Sequence, residues 1–413
     1  MVTLSPVVQA YAWGSRTALP DLCGTTSPAP HPVAEYWFGA HDSGSSLCSD
    51  GRSLDARIAE DPETELGRRV LDEHGGSLPY LVKLLSAEQA LSLQAHPSPE
   101  RAREGYAAED ARGIPVDAAD RNYRDRNHKP EILVALTEFH ALVGFRPVDR
   151  TLALLDALDV PALRPYRDML EGQPDAEGVR AVFTTFVTMP HTALADIVSD
   201  LITAAVGYLT SEGVDGHWAS EATTVVELAE RYPTDPGVLG ALLLNRVVLQ
   251  PGEAIYLGPG HMHAYLRGVG VEVMANSDNV LRGGLTPKHV DVPELMRVLE
   301  FSPLRDPRVR PVPAGRGIGT EVDFPTPAPD FALSRIDLEP GAEPVSYRPV
   351  GPEVLLCTSG TVRVGQDSTS ETLGPGRAAW LPASTPVVTL ESSDGASVFR
   401  TRVGDGESAA RRP

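Results

Sequence analysis

Two short stretches carry side chains that can bind a metal at strand spacing. Gln94-Ala95-His96 places two donors at i and i+2, and His261-Met262-His263 repeats that spacing. In an extended strand, residues two apart point to the same face. Glu131 follows Pro130 and opens the apolar run Ile132 to Leu136, which reads as a third strand. Three strands can thus bring two imidazoles, one carboxylate and one amide together. That donor set suits Zn²⁺, and Fe²⁺, Mn²⁺ or Co²⁺ also accept it. With one position left for water or substrate, such a site is catalytic rather than structural. The other histidines, among them His31, His74, His191 and His217, are read as structural.

A second cluster is cationic. Arg282 precedes Gly283-Gly284, where the backbone can approach a ligand closely, and Lys288 follows six residues after Arg282. A guanidinium and an ammonium suit a phosphate or an enediolate oxygen. Glu272 lies beyond His263 and offers a carboxylate base to the same cavity. The chain has three lysines, Lys83, Lys129 and Lys288, against 33 arginines. A sequence that otherwise uses arginine as its cation keeps lysine inside these motifs, where a compact ammonium with a movable pKa has chemical use.

The elements that position these residues are mostly strands. Residues 1–60 are turn-rich and aromatic-bearing, and read as short strands and loops. A short helix is expected over 61–74, a strand from Leu78 to Ser86, extended chain from Gln89 to Gln94, and helix plus loop over 100–128. From 148 to 240 apolar residues recur at helical spacing, as in Leu152, Leu155 and Leu158, so an all-helical insert is expected. Strands return at Arg246–Leu249 and Ala254–Leu257, a short helix at 293–300, and an all-β pattern from about 325 onward. Pro251-Gly-Glu-Ala-Ile-Tyr-Leu257 matches Pro375-Gly-Arg-Ala-Ala-Trp-Leu381 at an offset of 124 residues. At that offset His261 falls on Thr385 and His263 on Val387. Two related β-barrel modules follow, of which the first alone carries the histidines, in the manner of a cupin-type jelly roll.

Composition narrows the partners. The 413 residues carry a formal charge of −20, which argues against nucleic acid and anionic membrane surfaces. Three widely spaced cysteines without a CxxC imply reduced thiols and an intracellular, cytoplasmic protein. Met1 to Ala10 has no signal-peptide pattern, and no uninterrupted apolar run reaches about 18 residues, so no membrane span is expected.

The text resembles the type I mannose-6-phosphate isomerases (phosphomannose isomerases) of the cupin superfamily. The resemblance rests on Tyr11-Ala-Trp-Gly-Ser15, Ala34-Glu-Tyr-Trp-Phe-Gly-Ala-His41, Leu78 to Ser86, Leu91-Ser-Leu-Gln-Ala-His-Pro97 and Asn127-His-Lys-Pro-Glu131. It continues through Gly260-His-Met-His-Ala-Tyr-Leu266, Glu272, Ser277-Asp-Asn279, Arg282 and Thr286-Pro-Lys288. It covers 1–150 and 240–300 in order. Two small departures occur, Val273 where the family commonly has Cys, and Gly283 where it often has Ala.

The resemblance implies a mainly β fold: two cupin-type jelly-roll β-barrel modules with an all-helical insert domain. Residues 1–150 and 240–300 would form the catalytic metal-binding unit, 151–239 the insert, and 301–413 a cupin-like unit without metal ligands. It implies one Zn²⁺ per chain on Gln94, His96, Glu131 and His263, leaving His261 as a neighbour. Arg282, Glu272 and Lys129 become the catalytic set. Trp13, Lys83, Ser92, Tyr265 and Lys288 become the substrate-binding set, with Lys83 and Ser92 at the phosphate end. The implied activity is aldose–ketose isomerisation of a sugar phosphate through a cis-enediol, by a monomer. Glu272, Lys129 and a metal-bound hydroxide are the candidate bases. A cupin metal-dependent oxygenase or a non-catalytic sugar-phosphate binding protein are the alternatives.

Overall fold

The computed structural model describes residues 1–404 apart from 212–215, 317, 319 and 367. Its described strands form three sheets, of twelve, eight and four strands. The twelve-stranded sheet is organised around one long strand, His263–Ala275. The second half of that strand pairs antiparallel with Tyr80–Ala87 on one side and Glu131–Ala135 on the other. Its first half pairs with Phe139–Phe145 and, through His263, with Leu93–Ala95. The change of partners needs a bend. Gly268 supplies it at φ +125°, and a Cβ there would lie 2.7 Å from the Glu138 carbonyl oxygen. The register slips between Tyr265 and Arg267 at the same place.

Burial follows from alternation along these strands. Tyr80, Val82 and Leu84 join Ile132, Val134, Val271 and Val273 in a core shared with Trp380, Val354, Leu356 and Phe399 of the eight-stranded sheet. The opposite faces, carrying Leu85, Leu133, Ala141, Val143, Leu257 and Tyr265, enclose a separate apolar interior that leads to the candidate site. At about 25 cal/mol per Å² of apolar surface, burying each large side chain is worth roughly 1.5–3 kcal/mol.

Between Phe139–Phe145 and Leu244–Leu249 the elements among the described residues are helices, from Val148–Leu158 to Gly237–Ala241. His191–Thr210 is 20 residues long and, by length and composition alone, apolar enough to cross a membrane. Leu194, Val198, Leu201 and Ala205 on one of its faces are buried in the core of the helical segment.

Two expectations for residues 1–60 need correction. Ala18–Leu22 and Leu54–Glu60 are helices, not strands or loops. Leu54 and Ile58, four apart, put two buried apolar side chains on one helical face, a signal too short to stand out in the sequence. Val2–Ser5 does not join the twelve-stranded sheet; it pairs with Arg377–Leu381 of the eight-stranded one. The extended stretch expected from Gln89 to Gln94 narrows to a strand at Leu93–Ala95.

Candidate active site

His96, Glu131 and His263 are buried and their donor atoms converge, all within 4.8 Å of one another. The Nε2 atoms of His96 and His263 each lie 3.5 Å from Glu131 Oε2. Neither Nε2 has a hydrogen-bond partner. The other ring nitrogens are engaged: His96 Nδ1 lies 2.8 Å from the Asn279 carbonyl oxygen, and His263 Nδ1 2.9 Å from that of His261. A carbonyl only accepts, so each Nδ1 carries the proton and each Nε2 presents a lone pair. Two orphaned lone pairs and a carboxylate in a buried pocket fit a divalent cation. Tetrahedral zinc ligands at the usual bond lengths stand roughly 3.4 Å apart, close to the observed separations.

Register explains the convergence. Gln94 is directly opposite His263 on one side and Arg282 on the other. Directly opposed residues project to the same face of a sheet, so Gln94, His263 and Arg282 share one. Glu131 pairs with Met274, two residues beyond Glu272, which pairs with Lys83, which pairs with Trp37. His261 is not in the group; its Nδ1 accepts from the Gly258 N–H.

Asn279 holds the His96 side of the site from behind. Its side-chain NH₂ donates to the Asp125 and Asn127 carbonyl oxygens at 2.9 and 2.8 Å. Its Oδ1 accepts from the Arg124 N–H at 2.7 Å. Ser277 donates to the Asp125 carboxylate at 2.9 Å. The Ser277-Asp-Asn279 segment thus ties the 124–127 loop to the histidine.

The charges beside the metal group are paired. Lys83 Nζ lies 2.9 Å from Glu272 Oε2 and 3.6 Å from Glu35 Oε1. Burial works against its charge, but Glu272, Glu35 and Glu131 outweigh burial and hold the ammonium above its ordinary pKa. Tyr265 donates to Glu272 Oε1 at 2.7 Å, and burial with that carboxylate keeps its phenol protonated. Lys129 Nζ lies 3.1 Å from Glu131 Oε1. Burial alone would raise the Glu131 pKa, yet Lys129 and His96 hold the carboxyl well below its usual range. Lys83 therefore faces two carboxylates. Trp13 is half-buried, stacks on Tyr11 at 5.7 Å, and its carbonyl accepts from the N–H groups of Glu88 and Gln89. Ser92 is half-buried two residues before Gln94.

Arg282 is half-buried and Lys288 exposed. Burial and then Arg124 lower the Arg282 pKa; burial, Arg282 and Arg124 lower that of Lys288. None of the three cations has a carboxylate partner among the described residues. The loop bearing Arg282 and Lys288 is clamped from the helical segment: the Asp235 carboxylate accepts from the N–H groups of Leu285 at 2.8 Å and Thr286 at 3.1 Å, and from that of Gly237, two residues on, at 2.7 Å.

Glu35, Arg124 and Asp235 were not among the sequence-derived site residues. For Glu35 a signal existed: it shares strand parity with Trp37 inside a motif already noted. Arg124 sits in an arginine-rich loop with no local pattern. Asp235 acts across the fold, and its Asp-Pro-Gly context reads only as a turn.

Comparison with known proteins places this geometry among relatives. Residues 1–148 match the family model described as phosphomannose isomerase type I, catalytic domain. The chain is 40% identical over 390 residues to mannose-6-phosphate isomerase of Escherichia coli (strain K12), covering 93% of this chain and 95% of that protein. It is 33% identical to mannose-6-phosphate isomerase 1 of Arabidopsis thaliana, with 88% and 83% covered. The crystal structure of the Salmonella typhimurium mannose 6-phosphate isomerase bound to its substrate F6P and zinc superposes with a TM-score of 0.88. That pair is 37% identical, covering 98% of this chain and 99% of the other.

Proposed function

The chain belongs to the type I phosphomannose isomerase family, and from that premise we propose that it interconverts mannose 6-phosphate and fructose 6-phosphate at the site around His96, Glu131 and His263. The observation that carries the proposal is the pair of orphaned Nε2 lone pairs aimed at Glu131, one strand away from Arg282. Gln94, His96, Glu131 and His263 would hold zinc, which supplies Lewis-acid polarisation of the sugar oxygens when bound.

The reaction moves a proton between C2 and C1 and a second between O1 and O2. The C2 proton is weakly acidic, so negative charge on oxygen must be stabilised as it leaves. Arg282, on the face shared with Gln94 and His263, is placed to do that. Both oxygens of Glu272 are occupied, by Lys83 and Tyr265. Glu272 therefore orients Tyr265 and a sugar hydroxyl, and Lys129, with its single carboxylate partner, is the proton carrier. Lys288 and Arg124, unpaired and outward of Arg282, attract the phosphate dianion and lend its binding energy to the chemical step. Trp13 and Ser92 line the sugar path. An oxygenase would have no work for this cationic set.

The same reading takes the architecture as two cupin-type jelly-roll modules joined by a helical insert. The twelve-stranded sheet is the catalytic module, the helices from 148 to 241 the insert, and the eight- and four-stranded sheets the second module. Support comes from the antiparallel pairing throughout and from the two enclosed apolar interiors.

The test is fructose 6-phosphate formation from mannose 6-phosphate, before and after EDTA, with zinc then added back. Loss on chelation and recovery with zinc are expected. A folded, zinc-loaded protein that turns over no mannose 6-phosphate would sink the proposal.

A further inference from the structure

The sequence repeat at an offset of 124 residues becomes a repeat of sheet register. In the first unit Leu257 lies opposite Glu131. In the second, Leu381 lies opposite Glu353. Glu353 therefore occupies the place of Glu131. The correspondence extends across the neighbouring strands. Glu131 pairs on its other side with Met274, and Glu353 with Arg402. Two residues before these stand Glu272 and Arg400. Glu272 faces Lys83 and Arg400 faces Ser334. Lys83 faces Trp37 and Ser334 faces Asp323. Two residues before Trp37 and Asp323 stand Glu35 and Glu321.

Both units thus bury carboxylates at matching positions, but their counter-charges differ. In the first unit Lys83 satisfies Glu35 and Glu272, and Glu131 faces the two imidazoles. In the second the cation stands at the Glu272 position. Arg400 Nη2 and Nε donate to the two oxygens of Glu353 at 2.5 and 2.8 Å, and Nη1 donates to Glu321 Oε1 at 3.2 Å. Tyr347 donates to Glu353 Oε2 at 3.1 Å, and its ring lies 4.2 Å from the guanidinium. Ser334 donates to Glu321 Oε1 at 2.6 Å. Arg400, Glu353 and Glu321 are at most 5% exposed. Val387 stands at the His263 position and Thr385 at that of its neighbour His261.

We propose that the second β unit retains the buried cation cage of the first, and that the Arg400 guanidinium is its resident cation, standing where the first unit takes a metal ion. An arginine is always charged, forms a bidentate pair with a carboxylate and needs no free metal. The unit pairs the buried Glu353 charge while giving up metal chemistry. Removal of the guanidinium leaves Glu353 with Tyr347 as its remaining partner, beside Glu321, which Arg316 still holds at 2.8 Å, and the vacated place on Glu353 then accepts a divalent cation.

This inference rests on the reading of Glu131 as a zinc ligand. The experiment is therefore an increment above the wild-type protein. Purified wild type and Arg400→Ala are equilibrated with excess Zn²⁺, freed of unbound metal, and assayed for zinc per chain and thermal midpoint. Arg400→Ala is expected to hold about twice the zinc of wild type, and its midpoint to rise with zinc at concentrations where that of wild type is already saturated. Glu353→Gln in the Arg400→Ala background returns the zinc content to the wild-type value, as does Arg400→Lys alone. A folded Arg400→Ala with wild-type zinc content and no zinc-dependent midpoint overturns the inference. Should Arg400→Ala be recovered unfolded, it is refolded from denaturant with and without excess zinc. Refolding in zinc alone supports the inference; failure in both, with Arg400→Lys folded, overturns it. Zinc-free wild type would instead overturn the reading of the first site, and leave the increment to decide the second.

Discussion

Lys83 and Glu272 face each other directly in the sheet register, and their charged groups are 2.9 Å apart in a buried setting. Each is the other's main compensation for lost hydration. Removal of one leaves a buried charge without its partner, which costs about 3–5 kcal/mol. Lys83→Met and Glu272→Gln are each expected to be destabilised on that scale in urea unfolding. The double variant should lose clearly less than the sum, because neither charge is then left alone. Additive losses would show that the pair is not coupled.

The helical segment has a definite mechanical task at the site. Asp235 accepts the N–H groups of Leu285 and Thr286 and so fixes the loop that runs from Arg282 to Lys288. Leu285 within that loop has φ +56°, a conformation that the clamp must sustain. Asp235→Ala leaves Leu285 and Thr286 without their acceptor, at about 1–3 kcal/mol. The expected result is a KM for mannose 6-phosphate raised roughly tenfold or more, with zinc content unchanged. Steady-state kinetics beside metal analysis would check this. An unchanged KM would mean that the loop is held without the clamp.

The parts of the site that the sequence revealed are those whose partners sit two residues away or in one motif. Gln94 with His96 is announced by spacing alone; the same spacing at His261 does not carry over, since the strand begins at His263 and His261 Nδ1 accepts from the Gly258 N–H instead. Glu131 is legible because Pro130 and the apolar run after it mark a strand start. Glu35 shows only its strand parity with Trp37, since its tie to Lys83 depends on which strands become neighbours. The same holds for Val2–Ser5, whose four residues give no hint that they pair with Arg377–Leu381, a strand more than 370 positions away. Asp235 acts across the boundary between helices and sheet, 50 residues from Leu285, and no local periodicity encodes that contact. The helices were visible as a group through 3.6-residue periodicity, whereas the short Leu54–Glu60 helix was too brief to register.

The thiols give a prediction with a sign. Burial raises the Cys23 and Cys48 thiols to about 11 and the Cys357 thiol to about 12. The thiolate is the reactive form, so at pH 8 on the order of one thiol in a thousand or fewer is ionised. Ellman's reagent at pH 8 should therefore label the native protein slowly and the urea-unfolded protein at once, at all three positions. The native rate should rise about tenfold per pH unit between 8 and 10. Cys23, the partly exposed one of the three, should react first. Rapid native labelling of Cys357 would contradict its burial.

Asn279 supplies the last prediction, because its backbone and side chain do different work. Its carbonyl orients His96 through Nδ1, while its amide fastens the loop carrying Arg124 and Asp125. Asn279→Ala keeps the carbonyl but removes what holds it in place. Loss of such a supporting group around a metal ligand typically lowers metal affinity 10–100-fold. Competition against a zinc chelator should therefore show weaker binding in Asn279→Ala, by about one order of magnitude. Saturating zinc should restore much of kcat, because the ligands themselves remain, but not the KM, since Arg124 is no longer tethered. His96→Ala serves as the contrast: it removes a ligand, so excess zinc should recover neither quantity. Wild-type zinc affinity in Asn279→Ala would show that the carbonyl is fixed by the strand alone and that the side chain serves only the loop.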